Sequence, residues 1–112
     1  MINSVVLVGR VCQDPEIKYS DSGKVKTTFS ISVNRWDSKE KKEIADWFRI
    51  ELWDKKAEFA GEYVRKGRQV AVDGRLDITF WNDKDGNKRE WVVIKANDVK
   101  LLGSRKDEAA AG

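Results

Sequence analysis

The sequence predicts an all-β fold with one helix: five strands closing into a barrel, with the helix between strands three and four. Three observations predict it. Five segments of strand length are rich in apolar and β-branched residues, and several alternate apolar with polar. A single stretch has helical spacing, and it falls between the third and fourth of those segments. The last two segments are joined by Asn82-Asp83-Lys84-Asp85-Gly86-Asn87, a strong hairpin signal.

The first strand is Val5 to Val11 (VVLVGRV), nearly all apolar, with Gly9 expected as a bulge or bend. Asp14-Pro15 turns the chain. Ile17-Lys18-Tyr19 extends the pairing before a hairpin turn at Asp21-Ser22-Gly23-Lys24. Thr27 to Asn34 alternates, with Phe29, Ile31 and Val33 on one face and Thr28, Ser30, Ser32 and Asn34 on the other. Trp36 to Glu43 (WDSKEKKE) reads as a charged, exposed hairpin arm, and the third strand runs from Ile44 to Trp53. Asp54 is the expected N-cap of a helix from Lys55 to Lys66, with Gly67 as the left-handed residue past its end. The helix stripe is Ala57, Phe59, Ala60, Tyr63 and Val64. Strands four (Gln69 to Trp81) and five (Lys88 to Leu101) complete the set. This element order is that of the oligonucleotide/oligosaccharide-binding (OB) barrel. Residues 1–103 are expected to form that single domain. Residues 104–112 carry no large apolar side chain and are expected to be a flexible C-terminal tail or a truncated end.

A chain of 112 residues buries about two-thirds of its unfolded surface, enough for one core and not two. The absence of histidine excludes a Ser-His-Asp triad and the usual zinc sites. The single cysteine, Cys12, allows neither an intrachain disulfide nor a cysteine cluster, so no metal and no cofactor is expected. No run of about 18 apolar residues and no basic-then-apolar start is present; a cytoplasmic protein without membrane contact is expected. The net charge of +3 is a weak sign of a polyanionic partner. The unusual quantity is five tryptophans in so polar a chain.

Period-two alternation assigns their sides. In strand three Phe48, Ile50 and Leu52 take the core parity, which leaves Trp47, Arg49, Glu51 and Trp53 on the other side. In strand four Val70, Val72, Leu76, Ile78 and Phe80 share the core parity, opposite Arg75, Asp77, Thr79 and Trp81. Trp36 has the parity of Ser30, Ser32 and Asn34. Trp91 precedes Val92-Val93-Ile94, apolar on both parities, so its side is left open. Three or four outward indoles expose roughly 600–1,000 Å² of aromatic surface, more than a soluble monomer leaves uncovered. Arg49, Lys55, Lys56, Arg75 and Lys84 lie close by in sequence. Rings interleaved with cations suit single-stranded nucleic acid, whose bases stack while its phosphates meet Lys and Arg. Lys55 and Lys56 also stand in the first helical turn, where the macrodipole disfavours cations and a phosphate would offset the cost.

At these residues the sequence resembles the bacterial-type single-stranded DNA-binding protein family. The matching stretches are Asn3 to Val11 with Asp14-Pro15-Glu16, Asp46 to Trp53 with Ala57-Glu58, Tyr63 to Gly67, Val72 to Leu76, and Trp81-Asn82-Asp83. The resemblance implies an OB barrel assembled as a homotetramer that binds single-stranded DNA, cytoplasmic and nucleoid-associated, acting in DNA replication, recombination and repair without catalysis. It places base-stacking aromatics on Trp36, Trp47, Trp53 and Trp81, and phosphate-contacting cations on Lys18, Arg49, Lys55, Arg65 and Lys66. Family members often end in an acidic tip that recruits replication and repair enzymes; Ala109-Ala110-Ala111-Gly112 carries no such tip. Trp91 departs from the family pattern and is left open between a fifth stacking ring and an interface residue. Two rival readings are a protein-interaction adaptor with its rings between subunits, and a nuclease with a metal on Asp73, Asp77 and Asp83.

Overall fold

The computed structural model describes residues 1–111. The elements are β1 (Val5–Val11), β2 (Glu16–Tyr19), β3 (Val25–Asp37), β4 (Lys42–Trp53), α1 (Asp54–Tyr63), β5 (Gln69–Asn82), β6 (Lys88–Leu102) and α2 (Arg105–Ala111). Neighbouring strands run β1-β5-β6-β4-β3-β2. A further pairing of β1 with β3, at Arg10↔Ser32 and Val11↔Ile31, closes five of them into a barrel. Short β2 lies outside that ring, paired to the start of β3. Among the described residues only β4 and β6 pair in parallel.

Alternation along each strand supplies the core. Phe29 and Ile31 of β3, Ile50 and Leu52 of β4, Val70 and Val72 of β5, and Ile94 and Val99 of β6 all point inward and are buried. Each large aliphatic so buried contributes roughly 1.5–3 kcal/mol. Helix α1 packs against β3 and β4, burying Ala57 and Ala60, with Val64 buried just past its end. The buried Thr27 hydroxyl donates to the Ala57 carbonyl at 2.6 Å, which ties the helix to β3.

The structure departs from the sequence expectations at several places, each for a local reason. No register shift occurs at Gly9. There β1 passes from β5 to β3, and a Cβ on residue 9 would stand 2.5 Å from the Ser32 carbonyl oxygen, so only glycine fits the crossing. The irregularity lies instead between β5 and β6, where Asp73 faces Asp98 but Gly74 faces Ala96, leaving Asn97 as the extra residue. Asp54 is not a cap. Strand β4 runs directly into α1, Trp53 occupies the N-cap position without a side-chain hydrogen bond, and Asp54 takes φ 57° to turn the chain. The helix stops at Tyr63 rather than Lys66. Gly67, at φ 88°, belongs to the following turn, in which the Arg68 N–H donates to the Arg65 carbonyl at 3.1 Å.

Leu76, Ile78 and Phe80 keep the core parity yet are exposed, because that half of β5 projects with β6 as an arm beyond the barrel interior. Of the stretch expected to be a flexible tail, residues 105–111 form the short helix α2; Gly112 lies outside the described residues. A polar anchor replaces the missing apolar one. Arg68 donates from Nε to the Leu102 carbonyl at 2.7 Å and from Nη1 to Glu108 Oε2 at 2.7 Å. Asp107 accepts from the Ser104 N–H at 3.2 Å. Among the described residues no helix is long and apolar enough to cross a membrane.

Candidate nucleic-acid interface

Residues directly opposite on paired strands share a face of the sheet, so the register assembles the outer surface row by row. Lys18 on β2 faces Lys26 on β3, and Lys26 faces Trp53 on β4. In the next row Thr28 meets Glu51, Glu51 meets Lys95 on β6, and Lys95 meets Arg75 on β5. The third row is Ser30, Arg49, Val93 and Asp77. Beyond it come the pairs Ser32–Trp47 and Thr79–Trp91, then Trp81–Arg89 and Trp36–Glu43. All five indoles therefore stand on one outer face, with exposures from 43% at Trp53 to 70% at Trp47. The side of Trp91, left open by the sequence, is settled by its pairing with Thr79.

Cations are set directly against the rings. Lys26 Nζ is 5.2 Å from the Trp53 ring centroid, and the Arg49 guanidinium carbon is 5.1 Å from that of Trp91. Trp81 and Trp91 have centroids 6.4 Å apart with planes inclined at 53°. Glu51 lies within this positive surface, only 8% exposed, its carboxylate 3.2 Å from Lys26 Nζ and 3.9 Å from Arg49 Nε. Cys12, beside Ser32 and Trp47, is partly buried; burial pushes its thiol up, against hydrogen bonds from those two side chains that pull it down.

The cations singled out from the sequence fall into two groups. Lys18 and Arg49 lie on the tryptophan face, Lys18 in an exposed ion pair with Glu16 at 3.5 Å. Lys55 is exposed in the first turn of α1, close in the chain to Trp53. Arg65 and Lys66 lie past the other end of α1 and are not brought onto that face. Arg65 is half-buried, its Nη1 donating to the Gly61 and Val64 carbonyls at 2.9 and 2.6 Å, and the Lys66 N–H donates to Asp14. Lys26 was missed because nothing in the residues themselves reveals that it faces Trp53; only the β3–β4 register does.

The three aspartates considered for a metal are separated. Asp77 pairs with Lys95 at 3.4 Å. Asp83 accepts from Arg89 at 2.9 Å and from the Asp85 and Asn87 N–H groups of its own turn; Arg89 foremost, then Asn87, holds its carboxyl below the usual range. Among the described residues no three His, Cys, Asp or Glu side chains cluster to hold a metal ion.

What the geometry offers is an outer sheet face with half-exposed indoles, lysines and arginines between them, and hydroxyl side chains in the same rows. Residues 2–102 match the model of the single-strand binding protein family. The chain is 47% identical over 111 residues to single-stranded DNA-binding protein 1 of Synechocystis sp., an alignment covering 98% of this chain and 91% of that protein. It is 49% identical over 107 residues to single-stranded DNA-binding protein 1 of Nostoc sp., covering 95% and 87%. A third relative, the single-stranded DNA-binding protein of Thermosynechococcus vestitus, is 39% identical over 107 residues. A match spanning nearly the whole barrel, with identity at this level over nearly all of each chain, means that the protein belongs to the single-strand binding protein family.

Proposed function

We propose that the chain binds single-stranded DNA with little sequence preference and without catalysis, protecting unwound strands during replication, recombination and repair. Bases stack on Trp36, Trp47, Trp53 and Trp81. Phosphates meet Lys18, Arg49 and Lys55, joined by Lys26, with Arg65 and Lys66 as an outlying pair reached by a longer strand. The observation that carries this reading is the placing of every indole, half-exposed, on one outer face among cations. Stacking uses the π face that every base has, so preference among bases is slight; a duplex hides those faces and binds poorly.

Self-association into a homotetramer is part of the proposal. Among the described residues β1 pairs with β3 only at Arg10 and Val11, so its edge from Val5 to Gly9 is free to take another strand. Val6 and Val8 are exposed on β1, and Leu76, Ile78, Phe80 and Val92 form an uncovered apolar row on the inner side of the β5–β6 arm. We place the protein in the bacterial cytoplasm, where unwound DNA is found.

The test is a tryptophan-fluorescence titration with oligothymidylate, duplex DNA and RNA across a salt series. Quenching by the single strand and weak binding of the duplex are expected, with a salt slope near −0.7 per neutralised phosphate. Trp47→Ala and Trp53→Ala are each expected to weaken binding by about 1–3 kcal/mol with little loss of folding. Unchanged affinity in both variants would remove the face from the account.

A further inference from the structure

We infer that Trp91, with the Arg49 guanidinium set over its ring, forms a further nucleobase site at the fork where β4 and β6 part. This rests on the reading of the outer face as a single-strand interface and adds to it a position that the family pattern does not supply.

The parallel ladder between β4 and β6 begins at Arg49↔Val93. Trp47 and Trp91 each stand two residues before that first pair, so the two indoles flank the point where the strands separate. Across the sheet, β6 lies between β5, which carries Trp81, and β4, which carries Trp47. The Trp91 centroid is 6.4 Å from that of Trp81, and Trp47 holds the matching position on β4 across the fork, so Trp91 stands on the strand between the two.

The chemistry of the pair suits a nucleotide. A guanidinium lying over an indole keeps its N–H donors pointing outward in its own plane, where a phosphate can accept two of them. Arg49 is already held 5.1 Å from the Trp91 centroid, so little side-chain freedom is lost when the strand arrives. The indole is half-exposed and leaves surface for a base. Packing does not explain it. The buried neighbours Val93 and Ile94 already fill β6 on both of its sides, and Trp91 adds its area to solvent.

The experiment uses the full chain with oligothymidylate, comparing Trp91→Ala, Trp91→Phe and Trp47→Ala, together with photocrosslinking of the unmutated chain to an oligonucleotide carrying 5-iodouracil. Trp91→Ala is expected to weaken binding about five- to hundredfold, Trp91→Phe to restore most of it, and the crosslinks to include residue 91. Should Trp91→Ala bind like the unmutated chain while Trp47→Ala is weakened, this inference fails and the interface survives. Should neither be weakened, the interface fails and takes the inference with it. A Trp91→Ala chain that changes subunit number at constant affinity per subunit makes Trp91 an assembly residue and overturns the inference. If Trp91→Ala does not fold, the crosslink decides alone: adducts at residues 47, 53 or 81 with none at 91 overturn it.

Discussion

Glu51→Gln keeps the side-chain volume and removes one negative charge from the middle of the tryptophan face. The carboxylate lies 3.2 Å from Lys26 Nζ and 3.9 Å from Arg49 Nε, and it is almost wholly buried, so it competes with an arriving phosphate for both cations. With glutamine in its place that competition is gone. Each phosphate neutralised on a single strand adds about 0.7 to the steepness of log K against log salt, so completing two contacts that Glu51 partly neutralises steepens it by at most about 1.4. At roughly 0.1 M salt the upper bound corresponds to about fivefold tighter binding per contact and about 25-fold for both. Folding should lose only about 1 kcal/mol, since both cations remain partly solvated. Fluorescence titration with oligothymidylate over a salt series measures both quantities, and urea denaturation checks the fold. An unchanged slope with affinity inside about twofold of the parent would refute the reasoning. It would mean that the strand passes neither Lys26 nor Arg49.

Three further outcomes are expected. Thr27→Val removes the buried hydroxyl that donates to the Ala57 carbonyl and should cost about 1 kcal/mol in urea denaturation; an unchanged midpoint would mean that helix α1 needs no such tether. The Asp98 carboxyl is held below its usual range by hydrogen bonding to Lys56 at 3.0 Å, so its contribution is complete above the unfolded value and is lost as pH falls through the folded one, below about pH 4. Asp98→Asn should therefore flatten the acid limb of the melting curve slightly and leave neutral pH changed by less than about 1 kcal/mol. The Cys12 thiol, raised by burial above its ordinary 9.0, should react slowly with thiol reagents at neutral pH and faster as pH passes that value. Bound oligothymidylate should slow it further, because Trp47 lies against it.

Much of this was legible from residue order alone, because β3 and β4 each have one clean apolar parity. Once Phe29, Ile31, Ile50 and Leu52 must be buried, Trp47 and Trp53 have nowhere to go but outward. The same rule misled on β5. Parity is a statement about sides, not depth, and Leu76, Ile78 and Phe80 share a side with Val72 but lie past the end of the interior. Trp91 was illegible because Val92, Val93 and Ile94 leave no polar parity to read; Val93 is buried on the outer face between Arg49 and Asp77. Lys26 and Glu51 needed the register, which comes from long-range pairing. The helix start failed at Asp54, since a strand running straight into a helix replaces the usual cap with a left-handed turn, and the helix end failed at Lys66, since the chain turns extended at Val64, before the left-handed Gly67. The short helix at the terminal residues gave no apolar signal, because its contacts to the barrel are polar and centre on Arg68.

The alternation that sends Ile50 inward and Arg49 outward also constrains how this gene product can diverge. Inserting or deleting one amino acid between Trp47 and Trp53 would swap the two sides of the strand, carrying indoles into the hydrocarbon interior and aliphatics into water together. Lineages should vary this segment by replacement only, while length changes accumulate in the Asp83–Asn87 turn, where an added residue displaces nothing buried.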